Sequence, residues 1–474
     1  MRNQDIKKNI FQTACFFLGL FIILIVWISY LQIVKGPELA AHPMNSRAGM
    51  AAEKMQRGAI VDVNGVVLAY SEKTAQGYHR VYPEGRQAAP VTGYIGKEIG
   101  NAGMEAYANA DLTGSKNFWQ SFGPLAQIFA SDSGNTVKLT LDMSLQKTAY
   151  TALGNRRGAV VVLDSRTGEI LAMVSKPAFD PNTIEANWPD LQKSTDGSLL
   201  NRVTQGLYPP GSTLKTLIAD AALKENLTSD TEVFDCPGYL KVGSGYTLYE
   251  SHNAVHGKIH LKEALTESCN VTFGTLGLRL GANRLENAFE RFGFTKPLGN
   301  ELNEAVIRLP DFKHLSDGEI CQIGIGQSTM LVTPLRMAML AAAFSNQGAV
   351  MKPYLLDEVI APGHFILKKS KPEKWLDVTT PERAQLVQSY MRSVVENGTG
   401  RSAAVDGVPV IGKTGTAENA GGADHAWFIG AASLPQRNIA FAVIVENSGG
   451  GGVEAAPIAR KIILKILETE EVSP

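Results

Sequence analysis

Apolar positions are spaced differently in successive parts of this chain. From Ala14 to Val34 they run almost unbroken, with only Ser29, Tyr30 and Gln32 polar. About 20 such residues cross a hydrocarbon core as one helix, and the stretch lacks the amphipathic stripe of a buried core helix. Residues 37–56 are polar and irregular. From Arg57 the spacing is strand-like: Ala59-Ile60-Val61-Asp62-Val63, then Asn64-Gly65, then Val66-Val67-Leu68-Ala69. Apolar runs on both sides of Asn-Gly predict a β-hairpin. Short segments broken by turns such as Tyr82-Pro83-Glu84-Gly85 continue to about residue 135.

A second hairpin is predicted at residues 158–174, turning through Arg166-Thr167-Gly168. Helical spacing dominates from Ser212 to about residue 350, and strand patterns return at 408–416, 426–432 and 439–445. A closing helix is predicted around 456–467, where Ile458, Ile462, Ile463 and Ile466 share one face. Strands at both ends of a helical middle predict an α+β fold whose terminal segments pair in one central antiparallel sheet of about five strands, flanked by helices. The expected organisation is a short N-terminal segment (1–13), an apolar span (14–34), a small α+β module (35–150) and a large domain (151–474).

Charge narrows the partners. With 45 basic and 46 acidic residues the net charge is −1, so the basic footprint of a nucleic-acid binder is missing. Arg2, Lys7 and Lys8 precede the apolar span, which places the N-terminus in the cytoplasm and the remainder outside. Val34-Lys35-Gly36 is a poor cleavage site, favouring an uncleaved anchor over a signal peptide. Cys15 lies in the span, and Cys236, Cys269 and Cys321 would be outside. Three is an odd number, and an exported compartment leaves a Cys236–Cys269 bridge open. No CxxC or Cys/His ligand spacing occurs, so no metal or other cofactor is expected.

Three motifs carry candidate chemistry. In Tyr208-Pro209-Pro210-Gly211-Ser212-Thr213-Leu214-Lys215 a loop ends and a helix begins. Residues three apart share a helix face, which sets Lys215 beside the Ser212 hydroxyl. A serine hydroxyl attacks well once a base removes its proton, and a lysine is such a base when desolvation lowers its pKa. Ser268-Cys269-Asn270 offers a hydroxyl to relay a proton and a carboxamide to hold a peptide bond. Lys413-Thr414-Gly415-Thr416 ends a strand, with Thr414 and Thr416 on one face and Gly415 leaving room for a ligand backbone. Each motif alone is common, as a helical Ser/Lys pair, a capping loop or a lysine-guarded edge strand. Their order decides: Ser268 follows Ser212 by 56 residues and Lys413 follows Ser268 by 145, the S-x-x-K, S-x-N, K-T-G arrangement.

With these motifs the chain resembles a class-B, monofunctional penicillin-binding protein of the penicillin-recognising serine enzymes. The likeness extends to Arg57-Gly58-Ala59-Ile60-Val61-Asp62 at the start of the non-catalytic pedestal and to Leu139-Thr140-Leu141-Asp142 at the domain junction. Phe179-Asp180-Pro181-Asn182, Gly324-Ile325-Gly326-Gln327 and His425-Ala426-Trp427-Phe428 are also family-like. The resemblance implies a D,D-transpeptidase that cross-links peptidoglycan stem peptides and is acylated by β-lactams. Ser212 would be nucleophile, Lys215 base, Ser268 proton relay with Lys413 nearby, and Asn270, Thr414, Gly415 and Thr416 substrate-binding. The backbone N–H groups of Ser212 and Thr416 would form the oxyanion hole. A region of about 115 residues before the large domain is too short for a glycosyltransferase, so family logic implies a separate membrane glycan polymerase as partner.

A class A β-lactamase would carry E-x-x-L-N. The nearest stretch, Gly299-Asn300-Glu301-Leu302-Asn303, has glycine at the glutamate position. A β-lactam sensor would need more membrane sequence, and a catalytically idle scaffold would not need both Ser212 and Lys215. His252, His256 and His260 recur every four residues, but Gly257 interrupts them and 258–261 looks extended, so they read as surface or capping residues. The run Gly449–Gly452 reads as a flexible loop beside the cleft, lacking the Lys-Ser/Thr ending of a phosphate-binding loop.

Overall fold

The computed structural model describes residues 2–31, 35, 55–75, 77–114, 133–243, 245–419 and 422–472. The first element is a helix, Arg2–Tyr30. Its part from Lys8 to Tyr30 has a mean hydropathy of 2.4 and none of it is buried, making it long and apolar enough to cross a membrane. The irregular stretch expected at 37–56 lies, apart from its last two residues, outside the described residues, as do 32–34 of the span.

The large domain is built on a five-stranded sheet in the order Val410–Ala417, His425–Ser433, Asn438–Val445, Gly158–Asp164 and Ile170–Lys176. All four pairings are antiparallel. Both faces are covered, which is why the strands read as nearly continuous apolar runs. Val160, Val162, Phe428, Phe441 and Val443 point to one face, where the helices Met143–Ala152 and Ala456–Val472 pack. Val161, Trp427, Ile429 and Ile444 point to the other, against Pro334–Ser345, which is buried from Pro334 to Phe344. The stripe of Ile458, Ile462, Ile463 and Ile466 is indeed turned inward and at most 6% exposed. Each such side chain contributes about 1.5–3 kcal/mol by leaving water.

Between residues 212 and 350 the fold is less helical than the spacing predicts. Val233–Cys236 pairs with Gly257–His260, and Tyr239–Val242 pairs with Tyr246–Tyr249. In the first of these strands exposed and buried residues alternate, the two-residue period of a half-buried strand. These small sheets bracket the loop 250–256, which proves important below.

The Asn64-Gly65 hairpin is present: Ile60 opposes Ala69, and Val61 opposes Val67. Asp62 is fully buried and its carboxylate accepts N–H bonds from Asn64 (2.8 Å), Val66 (2.7 Å) and Met143 (3.0 Å). One side chain thus closes the turn and ties it to the helix entering the large domain. The sheet here has six strands, in the order Ile366–Lys369, Leu356–Ile360, Thr136–Leu139, Ile60–Val61, Val67–Thr74 and Gly77–Val81. Its first two members come from far along the chain. Beside it, Arg57 and Arg80 converge on the buried Glu105 at 2.8 and 2.6 Å.

Candidate active site

Ser212 lies in the short 3₁₀ turn Gly211–Leu214, which leads into the helix Lys215–Lys224. Pro209 and Pro210 end the loop, and the carbonyl of Pro209 accepts a 3.0 Å bond from the indole N–H of Trp427. The Gly211 N–H donates to the Gly326 carbonyl at 3.0 Å. Gly211 has φ +55°, and a Cβ there would stand 2.7 Å from the carbonyl oxygen of Thr416. Only glycine lets the serine turn approach the Lys-Thr-Gly-Thr strand this closely.

The Lys215 side chain is fully buried. Its amine donates to the Ser268 carbonyl (2.6 Å), to Asn270 Oδ1 (2.7 Å) and to Ser268 Oγ (3.2 Å). The structure therefore joins the first two motifs directly. Burial lowers the Lys215 pKa to about 8, against the opposing pull of Glu250 and Cys269. Ser268 has φ +62°, a conformation costly for a residue with a Cβ and typical of functional segments. It sits one residue before Cys269, which caps the helix Asn270–Arg291.

Val410–Ala417 is the edge strand expected from its sequence. Lys413 is not on its surface, however. It is fully buried, its amine donates to the Thr414 carbonyl at 3.2 Å, and burial together with the positive charge of Lys215 holds its pKa well below the usual lysine range. Thr414 and Thr416 face the cleft, and the hydroxyls of Thr414 and Thr399 lie 2.6 Å apart. Gly415 also meets a packing requirement that its sequence position did not show. A Cβ there would meet Thr213 Cγ2 at 2.8 Å and Pro210 O at 3.2 Å, so its missing side chain admits the serine turn.

Ser212, Ser268, Asn270, Thr399, Thr414 and Thr416 line one open cleft of about 630 Å³, and the fully buried Lys215 and Lys413 lie behind its wall. Gly450, Gly451 and Gly452 form part of the wall, beside the cleft as expected, but Gly451 and Gly452 open a short helix, Gly451–Glu454, where a flexible loop was expected. Behind Ser212, Glu446 accepts hydrogen bonds from the Tyr208 hydroxyl and Arg202 Nε, both at 2.7 Å. Sequence spacing did not show this brace, whose members are separated by more than 200 residues.

A second group reaches the same cleft through Glu250 and His256. Cys236, Glu250, His256 and Cys269 place their ligand atoms within 4.8 Å of one another, and all four cysteines of the chain are unbridged. Burial pushes the Glu250 carboxyl up, but N–H bonds from Val271 and Asn270 outweigh it and hold the group below the usual range. Burial and the Glu250 charge push the Cys269 thiol up. Of the three spaced histidines, His260 does cap a helix, Leu261–Thr266, and His256 faces Cys236. Thiols, imidazole and carboxylate are the donor set of a zinc-class ion.

Comparison with known proteins agrees with this arrangement. Residues 158–464 match the penicillin binding protein transpeptidase domain, and residues 57–136 match the penicillin binding protein A dimerisation domain. The chain is 33% identical to the peptidoglycan D,D-transpeptidase PbpA of Mycolicibacterium smegmatis, over 94% of this chain and 96% of that protein. It is 32% identical to the peptidoglycan D,D-transpeptidase MrdA of Haemophilus influenzae, over 81% and 69%. Among solved structures, the imipenem acyl-enzyme complex of penicillin-binding protein A from M. tuberculosis superposes with a TM-score of 0.81 at 30% identity, covering 88% of this chain and 99% of that one. The D,D-transpeptidase domain of a peptidoglycan glycosyltransferase from Eggerthella lenta gives 0.81 at 32% identity, with the same coverage.

Proposed function

The chain belongs to the penicillin-binding protein transpeptidase family, and we propose that Ser212 is its acylated nucleophile and Lys215 the base. It is a serine D,D-transpeptidase of peptidoglycan, inhibited by β-lactams. The observation that carries the residue assignment is the buried Lys215 amine, one turn from Ser212 and bonded to Ser268 and Asn270, which line the cleft with Ser212; its pKa of about 8 suits it to act as a base. The neutral amine takes the Ser212 proton as Oγ attacks the carbonyl of the penultimate D-alanine. Charge building on the carbonyl oxygen is met by the backbone N–H groups of Ser212 and Thr416. Ser268 passes the proton to the departing D-alanine amine. Asn270 holds the donor peptide, while Thr414 and Thr416 hold its terminal carboxylate in the positive field of the buried Lys413. An amine from a second stem peptide then resolves the acyl-enzyme.

The remaining organisation follows the same reading. Residues 35–150, with the strands Leu356–Ile360 and Ile366–Lys369 that complete their sheet, act as a non-catalytic pedestal and the rest of 151–474 as the catalytic domain, with the N-terminus in the cytoplasm by the positive charge of Arg2, Lys7 and Lys8. Glycan strands come from a separate membrane polymerase that the anchor helix contacts. Mass spectrometry of the full chain after penicillin treatment tests the core assignment. A single adduct on the peptide containing Ser212, lost in Ser212→Ala, is expected. An adduct elsewhere, or none at high drug concentration, overturns it.

A further inference from the structure

Cys236 ends one strand, Glu250 and His256 flank the loop beyond the next hairpin, and Cys269 sits inside Ser268-Cys269-Asn270. Within this group, Cys236 Sγ lies 3.4 Å from both Glu250 Oε1 and His256 Nδ1. Cys269 Sγ lies 3.0 Å from Glu250 Oε1, and His256 Nδ1 lies 3.8 Å from that oxygen. A tetrahedral zinc ion with ordinary bonds to sulfur, nitrogen and oxygen separates its ligands by about 3.3–3.8 Å. Three of these four distances fall in that range, the Cys269–Glu250 contact is 0.3 Å shorter, and all four atoms lie within 4.8 Å of one another, so small side-chain shifts would gather them around one ion.

Without an ion the Cys269 thiol donates to Glu250 Oε1, and burial with the Glu250 charge holds it protonated; an ion would replace that proton, and other contacts are placed to support the thiolate. The Cys269 sulfur accepts from the Thr272 N–H at 3.3 Å and the Thr272 hydroxyl at 3.2 Å, at the N-terminus of the helical segment that runs from Asn270 to a break at Gly281. Both contacts stabilise a thiolate. Glu250 accepts the N–H groups of Asn270 (2.9 Å) and Val271 (2.7 Å), which orients the carboxylate as outer-shell bonds orient metal ligands. Cys236, Glu250 and Cys269 are buried, while His256 is partly exposed at the cleft and gives an ion a way in.

We propose that Cys236, Glu250, His256 and Cys269 form a divalent-metal site of the zinc class, whose ion fixes the Ser268-Cys269-Asn270 segment against Lys215. Both thiols release their protons as the ion enters. The ion then ties three separate segments together at the residue between the proton relay and the substrate-binding amide. This counters the cost of the left-handed Ser268 backbone. The ion takes no part in bond making; it is a positioning device.

The test uses the full chain in detergent, stripped with a chelator and titrated with Co²⁺. One Co²⁺ per chain is expected, with thiolate-to-cobalt charge-transfer absorption that Zn²⁺ removes. Cys236→Ser and His256→Ala should each weaken binding by more than about 100-fold, beyond the loss typical of an outer-shell change. The second variant alters a partly exposed side chain and keeps the test sound if the first misfolds. Absence of the absorption in the wild type, or its persistence in both variants, overturns the site. Penicillin acylation should slow at least tenfold on stripping and recover with Zn²⁺; full-rate acylation by the stripped protein overturns the positioning role. Ser212→Ala should bind Co²⁺ normally while taking no penicillin, so failure of the metal site and failure of the nucleophile assignment read out separately.

Discussion

Acylation should follow the titration of Lys215. A lysine in water has a pKa near 10.4, and burial brings this one to about 8. At roughly 1.4 kcal/mol per unit, the fold spends about 3 kcal/mol to keep an amine that deprotonates close to neutrality. With a pKa of about 8, about a tenth of the molecules carry a neutral Lys215 at pH 7 and about nine-tenths at pH 9. An unshifted lysine would leave only about one in a few thousand neutral at pH 7. The second-order rate constant for acylation by a fluorescent penicillin, measured by stopped flow over seconds, should rise about tenfold per unit below pH 7 and flatten above 8. Lys215→Met should lose this limb along with nearly all activity. A rate that still climbs tenfold per unit through pH 9 to 10, or one independent of pH, would refute the assignment of Lys215 as base.

The same linkage appears with the opposite sign in the pedestal. Burial pushes the Glu105 carboxyl up, but Arg80 and Arg57 outweigh it and hold the pKa below the usual range. A depressed carboxyl contributes stability that is fully present above the unfolded value of about 4.3 and is lost as pH falls through the folded value. Glu105→Gln leaves two guanidinium groups without their counter-charge and should cost about 3–5 kcal/mol in chemical denaturation at pH 7; a change below 1 kcal/mol would show that water reaches the cluster. Gly415→Ala should drive a methyl into Thr213 Cγ2, 2.8 Å away, costing about 1–3 kcal/mol and slowing acylation. Thr213→Ser removes that Cγ2 and keeps the hydroxyl that bonds Pro210 at 2.6 Å, so the double variant should recover much of the rate. Additive losses in that cycle would contradict the close-approach explanation for Gly415.

Much of this site was legible in one dimension because its chemistry sits in short segments. Ser212 and Lys215 are one helical turn apart, and Ser268 and Asn270 flank a single residue. The closing helix was equally plain, since four isoleucines mark its buried face. Other features are non-local and leave no periodic trace. The pedestal sheet takes two strands from residues 356–369, which read only as ordinary strand-forming sequence. Glu446 braces Tyr208 from 238 positions away. The four residues around Glu250 come from a strand end, a loop and a helix cap, so no ligand spacing exists to find. The small hairpins between 233 and 260 were hidden by the helical segments on either side.

The hydrogen bonds of Lys215 themselves sort the roles of its neighbours. Charged, the amine has three donors, and the structure supplies three acceptors: the Ser268 carbonyl, Asn270 Oδ1 and Ser268 Oγ. Neutral, it has two donors and one lone pair. One of the three contacts must then reverse or open. A carbonyl and a carboxamide oxygen cannot donate a proton, whereas a hydroxyl can turn and do so. The exchangeable contact is therefore the one to Ser268 Oγ, at 3.2 Å the longest of the three. The other two keep the amine in place in either protonation state. In the proposed mechanism the lone pair takes the Ser212 proton while the Ser268 Oγ contact is open, and the charged amine so formed donates to Ser268 Oγ again. Of the three contacts it is the one whose partner can both accept and donate a proton, which suits Ser268 to the relay proposed for it.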